Sequence, residues 1–226
     1  MVGSVGLQVP VGATVPIVTT EKAPEASIVY RGSTITLLSD ELQASTLQQD
    51  WFQDLGEPKD VIKTSDITYF DYETASIFIH AAGKRAVAAD SSTQLVATSP
   101  IAVMMDRMVR EFKFGKVSAL SFNFNYEAVF KEKASEFLEE KYLKDGAIRG
   151  LGKDVRPAGL RLVSFEDDHA VRVTLDSVAK NPFAMSLLLN YHYDNPSRAV
   201  YSDIINTFGQ YTAEAPSWAG RIVNVA

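Results

Sequence analysis

The chain has no cysteine, and this absence excludes several kinds of chemistry. None of its 226 residues can form a disulfide, act as a thiolate nucleophile or hold zinc or an iron–sulfur cluster through sulfur. Histidine is scarce as well, with three residues scattered at His80, His169 and His192. We therefore predict neither a metal site nor another cofactor.

Long apolar runs and an excess of positive charge are also missing. No apolar run reaches the roughly 18 residues that suggest a transmembrane helix, so we expect no membrane contact. The formal net charge is −6 and the pI is about 5.1, and an acidic protein repels phosphate backbones. General nucleic-acid binding is therefore disfavoured, and an acidic composition without cysteine favours a cytoplasmic location.

Charge is nearly absent from residues 1–25, which are rich in valine, glycine, proline and threonine. No charged side chain precedes Glu21, and three prolines oppose both helix and central strand. The composition fits a disordered leader, or an extended arm whose valines dock on a neighbouring subunit or on the chain's own sheet. We predict an extended or flexible N-terminal arm followed by one domain over 26–226, with a sub-lobe boundary at 145–157 as the alternative.

Local patterns give a coarse map of the first half of this domain. Residues 27–38 indicate two short strands, and a capped helix is predicted from position 39 or 40 to Phe52. The clearest helix signal starts with Ser99 and Pro100, where six apolar residues at helical spacing form one stripe ending at Phe112. Asp106 is expected on the opposite, polar face of that helix.

The second half reads as strand, helix, hairpin, strand and a final helix. The last helix is predicted to be capped by Asn195, and the segment from Ala215 to the end reads as a short tail that ends in apolar residues. Most connections between strands are too short for crossovers. The fold class is therefore α+β, with a mainly antiparallel sheet, or two sheets, and about four helices packed on one face.

The stretch "LLLNYHYDNP" (187–196) alternates as a strand with a row of polar residues, Asn190, His192 and Asp194, on one side. His192 could act as a general base oriented by Asp194. The simpler interpretation is the solvated face of a sheet, because Asp194 precedes an Asn-Pro turn signal and its side chain could bond a nearby backbone amide.

The stretch "SFNFNYE" (121–127) has the same alternation, with Ser121, Asn123, Asn125 and Glu127 on its polar side. If this strand pairs with the 187–194 strand, the two polar rows form one hydrogen-bonding surface. Amide side chains read hydrogen-bond patterns but perform no acid–base chemistry at neutral pH. Such a surface would suit recognition better than turnover.

The stretch "GAIRGLGKD" (146–154) does not meet the requirements of a phosphate-binding P-loop. Five residues separate Gly146 from Gly152, and Asp154 stands where the motif needs a hydroxyl. A weaker interpretation is a loop that holds an anion or a partner's carboxylates. Its basic candidates are Arg149, Lys153 and Arg156.

No sequence motif identifies a nucleophile, and Trp218 near the C-terminus is a candidate interface anchor. We therefore expect a non-enzymatic interaction or assembly protein, a homo-oligomer or a binder of a protein partner. It would use a sheet face, the N-terminal arm or the C-terminal tail. The alternative is a small-ligand binder or hydrolase-like enzyme that uses His192 and Asp194, with the basic 146–157 loop as a lid. The candidate binding residues are Asn123, Asn125, Asn190, Arg149, Lys153, Arg156 and Trp218.

Overall fold

The computed structural model describes residues 26–90, 92–95, 99–143 and 157–223, except for the side chain of Thr46. The predicted arm, 1–25, lies outside the described residues. So does the segment 144–156, which holds nearly all of the predicted sub-lobe boundary and lid. Within the described residues the chain is a mixed α/β structure with one antiparallel sheet, as expected from the sequence.

The sheet has nine strands, and every pair of neighbours is antiparallel. In chain order the strands are β1 Ala26–Leu38, β2 Asp60–Lys63, β3 Ile67–Asp71, β4 Ala75–His80, β5 Arg85–Asp90, β6 Ala119–Phe130, β7 Gly159–Phe165, β8 Ala170–Val178 and β9 Asn181–Asp194. Their order across the sheet is β2-β3-β4-β5-β1-β6-β9-β8-β7. The first strand is therefore central, while β2 and β7 form the two edges.

Four α-helices and two 3-10 segments complete the described part of the chain. The helices are α1 Pro100–Phe112, α2 Ala134–Tyr142, α3 Arg198–Tyr201 and α4 Ile204–Val223, and the 3-10 segments are Ala44–Thr46 and Gln49–Leu55. Within these ranges no helix is both long enough and apolar enough to cross a membrane.

Two expectations for the N-terminal part of the domain were wrong. Residues 26–38 form one strand rather than two, because a bulge between Tyr30 and Gly32 absorbs the break without ending the pairing with β6. The helix predicted up to Phe52 is replaced by the 3-10 segments. Ser39 uses its hydroxyl to bond the Lys116 carbonyl at 2.7 Å, and so holds this connection against a distant part of the chain.

Helix α1 begins at Pro100 as predicted and has the predicted apolar stripe, which is buried apart from a partly exposed Phe112. It ends at Phe112, and Lys113 rather than the predicted Gly115 closes it with a left-handed backbone. Its Asp106 contradicts the expectation of a solvated polar face, because it is buried. The Arg110 Nε donates to the Asp106 Oδ2 at 2.9 Å, and the arginine extends to solvent. A buried carboxylate is tolerated here because it is paired.

The C-terminal helix begins later and ends later than predicted. Asn195 is not its cap but has a left-handed backbone with φ of 48°. Ser197 precedes the four-residue α3, and α4 starts at Ile204. This helix continues through Pro216 to Val223, so most of the expected tail is helical. Buried Ala215, Ala219 and Ile222 show why, since packing outweighs the cost of an internal proline.

Aromatic side chains join α4 to the centre of the sheet. The Phe208 ring stacks on Phe124 of β6, with ring centroids 5.4 Å apart, and lies 6.4 Å from Phe122. Tyr211 stacks on Tyr191 of β9 at 3.9 Å. These rings are on the sheet face whose side chains are buried. The alternate residues of the same strands project from the other face and carry the predicted polar rows.

Candidate functional site: the polar face of the sheet

Strands β6 and β9 are neighbours, and their register brings the two predicted polar rows together. Asn123 is opposite Asn190, and Ser121 is opposite His192. The alternation predicted for both strands is confirmed, because Phe122 and Tyr191 are fully buried on the other face. We call the surface that carries Thr34, Ser121, Asn123, Asn190 and His192 the polar face.

Three strands are linked on the polar face by a row of side-chain hydrogen bonds. Asn190 donates from Nδ2 to Asn123 Oδ1 at 2.7 Å, and Asn123 donates from Nδ2 to Thr34 Oγ1 at 3.0 Å. Arg172 of β8 lies opposite Asn190 in the register, between this row and the β7 edge. The asparagines therefore already bind one another, which fixes their orientation.

A second chain of hydrogen bonds runs beside this row. The Ser121 Oγ and the His192 Nδ1 are 2.7 Å apart, and the His192 Nε2 lies 3.0 Å from Asp194 Oδ1. His192 and Asp194 lean together along one strand, so the pairing proposed from the sequence is present. Asp194 is exposed while Ser121 is buried, so this series of hydrogen bonds runs from the interior of the sheet to solvent.

Serine, histidine and aspartate in this order match the roles of a hydrolase triad, in which the imidazole takes a hydroxyl proton and the carboxylate orients the ring. Acyl transfer also needs free N–H donors for the developing oxyanion. Ser121 lies inside β6 between β1 and β9, where backbone N–H groups belong to the ladders. The local backbone is therefore better suited to hold the serine than to expose it as a nucleophile.

The other predicted residues are not all brought to this face. Asn125 is on it, opposite Leu188 and half-buried. Trp218 is on α4, where its Nε1 donates to Glu214 at 2.6 Å and its ring lies 4.4 Å from the Arg221 guanidinium. Its indole is thus engaged within its own helix. Arg149, Lys153 and Arg156 lie outside the described residues.

Thr34 and Arg172 belong to the polar face but were missed in the sequence. Both lie in ordinary alternating strands, so period-2 patterning marks them as outward residues without indicating which strands they join. Thr34 bonds a residue 89 positions away. Only the order of strands in the sheet could have identified them.

Each histidine pairs with an aspartate rather than joining a shared site. The His80 Nε2 lies 2.9 Å from Asp66, and the His169 Nδ1 lies 2.7 Å from Asp168. No group of three or more histidine, aspartate or glutamate side chains in the described ranges is arranged to hold a metal ion.

Tyrosines that are buried or, like Tyr30, partly buried form the layer behind the polar face. Burial raises the pKa of Tyr30 to about 12, and it raises the pKa of Tyr126, Tyr191 and Tyr211 as well. The hydroxyls of Tyr126 and Tyr191 have no hydrogen-bond partner among the described residues, whereas those of Tyr193 and Tyr211 bond each other. Ionisation of these phenols is therefore unfavourable while the chain is folded.

We expect the Asn123–Asn190 pair to be energetically coupled. In a double-mutant cycle with Asn123→Ala and Asn190→Ala, the free energies of urea unfolding should give a coupling of about 0.5–1.5 kcal/mol, the net value of one hydrogen bond. Asn125→Ala is the matched control, since Asn125 faces Leu188 and should couple to Asn190 by less than about 0.5 kcal/mol. Equal coupling in both cycles would contradict the observed pairing.

Comparison of the chain with protein-family models, curated proteins and solved structures found no match. The features of the molecule that bear on its function are therefore the polar face, the exposed apolar side chains and the edges of the sheet.

Proposed function

We propose that this chain is a non-enzymatic interaction or assembly protein that forms a homo-oligomer or binds a protein partner. Its contacts would be made by the sheet, by the N-terminal arm or by the C-terminal segment. We further propose that the helices cover one face of the sheet, so that the polar face and the sheet edges are available to a partner.

The distribution of exposed apolar side chains supports this proposal most directly. All eight large hydrophobic residues that are exposed in the described part of the chain lie on strands: Val29, Val61, Ile62, Ile67, Leu162, Val163, Phe165 and Phe183. Six of the eight belong to β2, β3 and β7, at or next to the two edges of the sheet. Exposed apolar side chains that cluster at the edges of a sheet are typical of interaction sites.

The hydrogen-bonded rows of the polar face add a second argument. Asn123, Asn190 and His192 are held in fixed orientations by their neighbours, so they present an ordered pattern of donors and acceptors. Protein interfaces carry direct hydrogen bonds as well as apolar contacts, and this ordered polar pattern offers donors and acceptors for them.

The mass of the protein in solution tests this proposal. Light scattering on a sizing column would compare the full chain with a version lacking residues 1–25 across a range of concentrations. We expect the full chain to exceed its monomer mass of 24.8 kDa. A smaller mass after truncation would assign assembly to the arm, and an unchanged oligomer would assign it to residues 26–226. A full chain that stays at 24.8 kDa would contradict assembly.

The Ser121–His192–Asp194 chain favours a second candidate, a hydrolase-like enzyme or small-ligand binder with the 146–157 loop as its lid. A fluorophosphonate probe and a p-nitrophenyl ester would test it, with Ser121→Ala as the matched control. Labelling or ester hydrolysis that disappears in this variant would support the enzyme. Equal, background-level signals from both proteins would support the non-enzymatic proposal.

A further inference from the structure

The two edges of the sheet differ in how they are protected against pairing with another strand. Strand β2 has four residues, and charged Asp60 and Lys63 stand at its ends. Strand β7 has seven residues and one charge, Arg161, and contains no proline, no lysine and no recorded bulge in its pairing with β8. Short length, charge, proline and bulges are the usual means of blocking an edge, so β7 is the open one.

The side chains of β7 are also unusually exposed for an apolar strand. Phe165 is 83% exposed and Val163 is 51% exposed, and both are on the polar face because they lie opposite Ala170 and Arg172. Leu162 is exposed on the opposite face. Among the described residues, β7 pairs with β8 only. Its outer backbone groups and its apolar side chains therefore lie at the same border.

The residues of β7 complement a second copy of themselves. When two antiparallel strands are related by a two-fold axis normal to the sheet, the faces of both sheets coincide. With Val163 on that axis, it lies opposite Val163 of the other copy, and Arg161 of each copy lies opposite Phe165 of the other. The two-fold axis therefore generates two contacts between Arg161 and Phe165, one on each side of the axis. In each contact the guanidinium of one copy can lie over the aromatic ring of the other.

The same sheet already contains a contact between an arginine and a phenylalanine on adjacent strands. The Arg85 guanidinium of β5 lies 5.6 Å from the centroid of the Phe78 ring on β4, where Phe78 is its diagonal neighbour and His80 lies directly opposite Arg85. An arginine over a phenylalanine on the adjacent strand is therefore a contact that this sheet geometry accommodates.

From this edge and its complementarity we infer that two copies of the chain pair antiparallel through β7, with Val163 at the two-fold axis. The sheets join into one of eighteen strands, nine from each copy. This inference rests on the proposed function and specifies the surface and the partner. The paired strands span about 23 Å at about 3.3 Å per residue, so we expect a weak, concentration-dependent dimer.

Charge substitutions at the axis test the inference. Sedimentation velocity over a concentration series would compare the full-length wild type with Val163→Lys and Val163→Glu. In each variant two like charges meet, and we expect the dimer to weaken by at least about tenfold. In an equimolar mixture the two variants place opposite charges at the axis, so dimers should reappear as heterodimers. Because recovery requires both folded variants, it also excludes misfolding as the cause of the loss.

Val61→Lys is the matched control, because Val61 is 44% exposed on the other edge strand and its substitution should leave the dimer unchanged. Variants that dimerise as the wild type does, or a mixture that stays monomeric, would overturn pairing about Val163 while leaving an oligomeric protein. Weakening by Val61→Lys alone would assign the contact to β2 and also overturn it. A wild type that is monomeric at every concentration would contradict both this inference and self-assembly.

Discussion

Phe208→Ala should lower the free energy of unfolding by about 3–5 kcal/mol, the usual cost of removing a buried phenylalanine ring. Phe208 is completely buried, and its ring packs on Phe122 and Phe124 of β6. Its loss leaves a cavity between α4 and the centre of the sheet that neighbouring rings can fill only in part. Since domains are stable by about 5–15 kcal/mol, this change removes a large fraction of the total. Urea unfolding followed by circular dichroism measures it.

A second phenylalanine provides the control for this measurement. Phe183 is exposed on β9, and Phe183→Ala should change stability by no more than about 0.5 kcal/mol. A loss below about 1 kcal/mol in Phe208→Ala would be inconsistent with an intact contact between α4 and β6.

The chain should unfold cooperatively in alkaline solution, because its buried tyrosines resist ionisation. Burial raises the pKa of Tyr30 to about 12 and raises that of Tyr126, Tyr191 and Tyr211, whereas an unfolded tyrosine has a pKa near 10. A group whose folded pKa is raised contributes stability that is complete below the unfolded pKa. That stability is lost as the pH rises through the folded pKa. The unfolding free energy should therefore decrease from about pH 10 upward.

Tyrosinate absorbance and circular dichroism, recorded together during an alkaline titration, would check this expectation. The absorbance of the buried tyrosines should rise in the same transition as the loss of structure. Tyr126→Phe removes one ionisable group that has no hydrogen-bond partner among the described residues, and should reduce the slope of stability against pH by up to about 1.4 kcal/mol per pH unit. All phenols titrating near pH 10 with unchanged structure would contradict the burial.

Local sequence patterns predicted much of the fold where a single periodicity dominated. The stripe ending at Phe112 identified α1, and the alternation around Asn123 and His192 assigned buried and polar sides correctly. Predictions failed where distant contacts competed with local preference. Ser39 bonds the Lys116 carbonyl, 77 positions away, instead of starting a helix, and no local spacing indicates that partner. The Asp106–Arg110 pair has the local i,i+4 spacing of a helix, but the burial of Asp106 depends on how α1 packs in the folded chain.

The candidate site was predictable only in part for the same reason. Asn123, Asn190, His192 and Asp194 were recognised as outward polar residues from period-2 alternation. Local patterns do not indicate whether the two strands are neighbours, since Ser121 and His192 are 71 positions apart. Thr34 was missed because nothing local connects β1 to β6.

The sequence by itself determined three things about this protein. Its composition excludes cysteine chemistry, and the period of its side chains shows which residues alternate in strands. The short connections between strands indicate an antiparallel sheet, and both period and connection length can be seen in a short stretch of sequence. The tertiary structure decided the order of the nine strands and the union of the polar rows. It also decided the position of β7 as an edge with Val163 and Phe165 exposed. These features depend on contacts between residues far apart in the chain. Their energies come from packing and hydrogen bonding that only the folded sheet brings together.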